Sequence, residues 1–168
     1  MDLQLRDSKV VLCGATGLLG TTIALELARE GANIALLGRN SNSLAALKAD
    51  VEASGSPGAI AIECQLDSET STDQAIRAAI KALGGIDVFI FAAGAAQGGI
   101  FWEIDDVTWK SNLEVKLFGA IRALRTVAPA MIERHAGRIV VVVGNSAKFP
   151  EPRMLPGAAA NAALLAIV

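Results

Sequence analysis

The sequence predicts an α/β protein, a doubly wound parallel sheet with helices on both faces. Three observations predict it. Short apolar runs alternate with longer segments whose apolar residues recur at helical period. The short runs are apolar almost throughout, as strands buried on both faces require. Glycines at positions 31, 38, 55, 58, 84, 85 and 137 stand between these segments.

Taken in order, the strands fall at residues 10–13, 34–37, 59–62, 88–93 and 139–143. The last is an unbroken β-branched run, Ile139 to Val143, which predicts a central strand. A helix follows the first strand over about 19–30. Ile76, Ala79, Ile80 and Leu83 form the stripe of another. Leu113, Leu117, Ala120, Leu124, Ala128 and Met131 mark a longer helix, which Pro129 is expected to kink or shorten. His135, beside Arg134 and Gly137, suits the negative end of that helix better than chemistry. Residues 145–156 form the long irregular stretch. Residues 158–168 then read as an apolar helix without cap or polar tail. This predicts either a helix cut short, with further strands missing, or a helix buried in an oligomer interface.

At 168 residues, 52% apolar and 19% charged, the chain predicts one domain over residues 1–168. It is too apolar for disorder. With 15 basic and 17 acidic residues and a net charge of -2, it is too balanced for an electrostatic nucleic-acid binder. Cys13 and Cys64 have neither disulfide nor metal-ligand spacing and are expected as buried free thiols; no metal is expected. The opening MDLQLRDSK is no secretory leader, and no apolar run reaches the ~20 residues of a membrane span. The expected location is the cytoplasm, with no membrane partner. There is no tyrosine.

The first chemical signal is Gly14-Ala15-Thr16-Gly17-Leu18-Leu19-Gly20, lying after a predicted strand and opening a predicted helix. Glycines there permit a tight turn, close approach of the backbone to a pyrophosphate, and close helix–sheet packing. The helix N-terminus then offers free N–H groups to phosphate. In that context the pattern reads as a dinucleotide site on a Rossmann-like fold, with Gly14, Thr16, Gly17, Leu18, Leu19 and Gly20 in contact with the cofactor. At the second strand's tip an acid would select NAD by bonding its ribose 2′-hydroxyl. No Asp or Glu occurs between positions 31 and 49; Arg39 and Asn40 stand there instead. A guanidinium suits a phosphate, so NADP(H) is favoured over NAD(H).

Together with these features, several further segments resemble the short-chain dehydrogenase/reductase family, and the similarity runs along the whole sequence. Residues 5–12 resemble the family's lead into its first strand, and the glycine loop its Thr-Gly-x-x-x-Gly-x-Gly signature, with Cys13 for the Thr and the middle glycine displaced. Gln65 and Leu66 fall where the family frames adenine. Ala92-Ala93-Gly94 resembles the end of its Asn-Asn-Ala-Gly run. Trp109, residues 115–119 and Pro129-Ala130-Met131 match its long helix. The resemblance implies strand order 3-2-1-4-5, hydride transfer between a nicotinamide cofactor and a small-molecule carbonyl or alcohol, and a homo-oligomer, dimer or tetramer, paired through the long and terminal helices. It also implies that the family's substrate loop lies beyond this sequence.

The family's catalytic Tyr, Lys, Ser and Asn are not matched. Gly157, or Met154 with a small insertion, takes the Tyr position; Asn161 takes that of the Lys. The Ser falls near Gly144, with Asn145 and Ser146 adjacent, and the Asn becomes Lys116. Neither Gly nor Met donates a proton to an alkoxide. The candidates for chemistry are therefore Lys116 as a desolvated acid, Ser146, and Asn145 as a holder of a substrate oxygen or water. Asn161 is expected on the nicotinamide ribose. The plainer readings are a snorkelling lysine, a turn cap and solvated loop groups. The expected function is an NADP-dependent oxidoreductase with a non-standard proton donor; the alternatives are a cofactor-binding regulatory protein without turnover and a structural subunit.

Overall fold

The computed structural model describes residues 3–94 and 97–168. Its strands are β1 (Lys9–Cys13), β2 (Asn33–Gly38), β3 (Ala59–Glu63), β4 (Val88–Phe91) and β5 (Arg138–Val141). Its helices are α1 (Leu18–Arg29), α2 (Ser41–Ala53), α3 (Glu69–Leu83), α4 (Asp106–Leu113), α5 (Gly119–Glu133) and α6 (Leu155–Leu165). All strand pairs are parallel, and the order is β3-β2-β1-β4-β5. The chain winds outward through β1, β2 and β3, then returns to place β4 on the other side of β1. That reversal opens a crevice at the carboxyl ends of β1 and β4.

Alternation along each strand explains the unbroken apolar runs. Val11 and Cys13 of β1, Ala35 and Leu37 of β2, and Phe89 and Phe91 of β4 face one core. Val10 and Leu12, Ile34 and Leu36, and Val88 and Ile90 face the other. Small residues of α5, Ala120 and Ala123, join the first core beside the two fully buried phenylalanines. The helix can thus approach the sheet closely. Cys13 and Cys64 are buried free thiols, as expected.

Three expectations are corrected. β5 is the edge strand among the described residues, not a central one: only β4 pairs with it, and Ile139 and Val140 remain 41% and 48% exposed. Its β-branched composition reports strand propensity, which does not distinguish edge from centre. The long helix is not one regular α-helix. Glu114–Phe118 forms a π-helical turn between α4 and α5, where Gly119 N–H reaches back to the carbonyl of Glu114. Pro129 does not end α5, which continues to Glu133; the ring lies on the exposed face. The stretch after β5 holds a short 3-10 turn, Asn145–Ala147, before α6. No helix among the described residues is long and apolar enough to cross a membrane.

Candidate functional site

The crevice is a cavity of about 640 Å³. Its floor begins at the glycine turn. Gly14 has φ +81°, and a Cβ there would lie 2.6 Å from the amide nitrogen of Ala93. A Cβ on Gly20 would lie 2.0 Å from the carbonyl oxygen of Gly14. Both positions therefore require glycine, one for conformation and approach to β4, the other for approach of α1 to the turn. The turn is closed by Gly17 N–H donating to Gly14 O at 3.2 Å.

Gly17 caps α1 without a side chain, and no acid occupies the first turn. The first N–H groups of α1 have no intrahelical acceptor and face the crevice mouth. Leu18 and Leu19 line the cavity and are 89% and 56% exposed. Thr16 and Arg39 line the same side. These features fit a nucleotide diphosphate: a cradle with no room for Cβ atoms, an open helix N-terminus and a guanidinium beside it.

Leu66, Ala92, Ala93 and Gly94 continue the lining across β3 and β4. Asp67 and Cys64 also line it, and Asp67 is the one carboxylate to do so among the described residues. Burial raises the Cys64 thiol to about 11, partly offset by a hydrogen bond with Thr72, so it stays protonated at neutral pH. Cys13 is also raised, chiefly by burial.

The far end lies between β5 and α6. Asn161 is 6% exposed and fully engaged there. Its Oδ1 accepts from Gly144 N–H at 3.0 Å, and its Nδ2 donates to Ser146 Oγ at 3.0 Å. Ser146 Oγ is thereby an acceptor from α6, which leaves its own proton to donate elsewhere. Gly157, one helical turn before Asn161, also lines the cavity, and a Cβ there would meet nothing within 4 Å. Val142 and Met154 add apolar surface.

Lys116 enters from the π-helical turn. It is half-buried, and its Nζ lies 3.3 Å from where a Cβ on Gly94 would be. Burial alone lowers its pKa below the usual lysine range. The neighbouring acid in the same turn, Glu114, is committed to Arg122.

The structure thus gathers Gly14, Thr16, Gly17, Leu18, Leu19, and Arg39 with Leu66, Ala92, Ala93, Gly94, Lys116, Ser146 and Asn161 around one cavity. Four predicted residues do not line it. Gly20 is packed beneath the turn. Asn40 caps α2, its Oδ1 accepting from Ser43 N–H at 2.9 Å. Gln65 is exposed, and its backbone N–H donates to Ser71 Oγ. Asn145 is exposed at the start of the 3-10 turn. Sequence reasoning missed Asp67, which follows directly on the flagged Gln65 and Leu66, and Val142, which looked like ordinary strand.

The sequence model of the family described as short chain dehydrogenase matches residues 8–168. An uncharacterised oxidoreductase, YvrD, of Bacillus subtilis is 26% identical over 167 residues, covering 99% of this chain and 62% of that protein. The solved structure of NAD+-bound xylitol dehydrogenase superposes with a TM-score of 0.93 at 26% identity, over 98% of this chain and 63% of that one. An actinorhodin polyketide ketoreductase variant with NADPH gives 0.90 at 28% identity, over 99% and 64%. The chain spans a little over three fifths of the length of these relatives.

Proposed function

The chain belongs to the short chain dehydrogenase family, and on that footing we propose that it is an oxidoreductase acting between NADP(H), in preference to NAD(H), and a carbonyl or alcohol substrate. One observation carries this reading. One cavity brings together an open helix N-terminus and glycine cradle with a hydroxyl, an ammonium and the open space at Gly157. A bound nicotinamide cofactor would supply the hydride.

This chain's own groups do the rest. The N–H groups at the start of α1 hold the diphosphate, and Arg39 holds the 2′-phosphate. Leu66 and Asp67 border the adenine, while Ala92, Ala93 and Gly94 let the backbone approach a ribose. Asn161 orients Ser146, whose hydroxyl donates to the substrate oxygen. Lys116 gives that oxygen a proton, its acidity enhanced by burial. The apolar exposed residues Val107, Phe118 and Ile132 of the long helical segment, with Leu165 on α6, support self-association through these helices.

A second reading has its own observation. The open space at Gly157 and the absence of tyrosine leave the usual phenol unreplaced at its own position, which favours cofactor binding without turnover. NADPH consumption with a panel of small aldehydes and ketones separates the two. Consumption that Ser146→Ala and Lys116→Met both reduce supports the enzyme. Saturable NADPH binding with no consumption across the panel supports the second reading.

A further inference from the structure

Lys116 is the one half-buried ammonium in the cavity, and it has no carboxylate partner among the described residues. A buried charge is costly unless it is paired. Three acids of the same helical stretch are committed. Glu114 pairs with Arg122, Asp106 with Lys110, and Asp105 caps α4 by accepting from Thr108 N–H at 2.8 Å. Asp67, the one carboxylate lining the cavity, makes no ion pair with Lys116. The backbone adds an independent sign. Lys116 is the middle residue of the π-helical turn, a rare geometry that shifts the helix by one residue and so re-aims the side chains it carries. The cavity that it lines also carries Val142, Met154 and the open space at Gly157, with Ser146 as a neutral donor.

We infer that Lys116 makes its part of the cavity an anion subsite, and that its ligand is the carboxylate of the substrate, which is an oxo- or hydroxycarboxylic acid. This rests on the proposed cofactor site, since the substrate must lie against the same cavity. The carboxylate supplies the charge the protein withholds from Lys116, and the reacting oxygen falls to Ser146. A carboxylate beside the ammonium favours its protonated form, which holds the pair together and offsets part of the acidity that burial gives the lysine. The other candidate anion is a cofactor phosphate, but the open N-terminus of α1 and Arg39, which line the same cavity, already provide for phosphate.

The test is calorimetric titration with oxamate, an isostere of a short oxo acid, and with its uncharged methyl ester. Each is added to the cofactor-free chain and to the chain with NADPH present, in chloride-poor buffer. The expected result is saturable oxamate binding in at least one of these states, with the ester at least tenfold weaker. Lys116→Met should weaken oxamate at least tenfold, and Lys116→Arg, which keeps the charge, by only a few-fold. Several results overturn the inference: no oxamate binding in either state, equal binding of acid and ester, or oxamate binding untouched by Lys116→Met. A fourth is loss of NADPH affinity as large as the loss of oxamate affinity in Lys116→Met, which assigns the ammonium to a cofactor phosphate. Failure of NADPH to bind at all is a separate result that counts against the cofactor site, while the cofactor-free titration still decides the anion subsite.

Discussion

Asn161 donates a hydrogen bond of 3.0 Å to Ser146 Oγ while its carbonyl oxygen takes the backbone N–H of Gly144 at 3.0 Å. One buried amide thus fastens α6 to the end of β5 and decides which way the Ser146 hydroxyl points. Replacing it by an apolar residue strands a Gly144 donor and frees the serine to rotate. Asn161→Leu is expected to lower stability by about 1–3 kcal/mol, the cost of an unsatisfied buried polar group. Asn161→Asp keeps an acceptor for Gly144 but turns the Ser146 proton toward α6. Its stability loss in urea unfolding should be smaller, with any turnover falling toward that of Ser146→Ala.

Gly14 and Gly157 line the same cavity and should respond oppositely to alanine. At Gly14 the left-handed φ and the 2.6 Å approach to Ala93 leave no place for a methyl group. Gly14→Ala should cost at least about 1–2 kcal/mol from backbone conformation alone. At Gly157, within α6, a Cβ meets nothing, so Gly157→Ala should stabilise by roughly 0.5–1 kcal/mol. Denaturant unfolding of the two variants checks both signs.

Lys116 should reduce the stability of the protein it serves. Its pKa is lowered on folding by burial, so wherever the ammonium is protonated the folded state carries a poorly solvated charge. Lys116→Met is expected to stabilise by about 0.5–1 kcal/mol at pH 7. As pH rises through the lowered folded value toward the ordinary lysine range, the wild-type chain recovers stability and the gap should close. Unfolding midpoints of the two chains across that range are the measurement.

Cys64 lies in the cavity wall but is protected chemically. With its pKa pushed up to about 11, it is almost wholly thiol at pH 8, and alkylation should proceed far more slowly than for a free cysteine. The rate should climb about tenfold per pH unit toward that value. Mass spectrometry after timed iodoacetamide exposure tests this. Added NADPH should slow labelling further because Cys64 lines the proposed cofactor cleft.

The order of elements was legible because each strand and helix announces itself locally, through runs such as 34–37 and stripes such as Ile76, Ala79 and Ile80. The glycine turn was legible for the same reason: its requirements fall on residues 14–20 alone. What the sequence hid depends on contacts between distant positions. The Asn161–Ser146 bond spans 15 residues and exists only once α6 folds back on β5. Asn40 beside Arg39 looked like a cofactor contact, but its side chain satisfies a nearer need, the free N–H of its own helix. The π-helical turn at Lys116 was invisible because apolar spacing around Leu113 and Leu117 fits an α-helix equally well. Position in a stripe still marked Lys116, since a lysine at an apolar edge is half-buried whichever turn carries it.

In the proposed reading the preference for NADP(H) turns on Arg39, which lines the cavity, with no Asp or Glu between positions 31 and 49. A charge-assisted bond to the 2′-phosphate contributes about 1.5–3 kcal/mol. Arg39→Asp should therefore weaken NADPH at least tenfold more than NADH. Equal weakening of both would remove the 2′-phosphate from this residue.

The central claim, that the crevice between β1 and β4 is a nicotinamide dinucleotide site, is tested most directly by equilibrium titration of the purified, folded chain with NADPH and with NADH. Saturable binding of one molecule per chain, tighter for NADPH, is the predicted result. A folded chain that binds neither would contradict it and reduce the glycine turn to architecture.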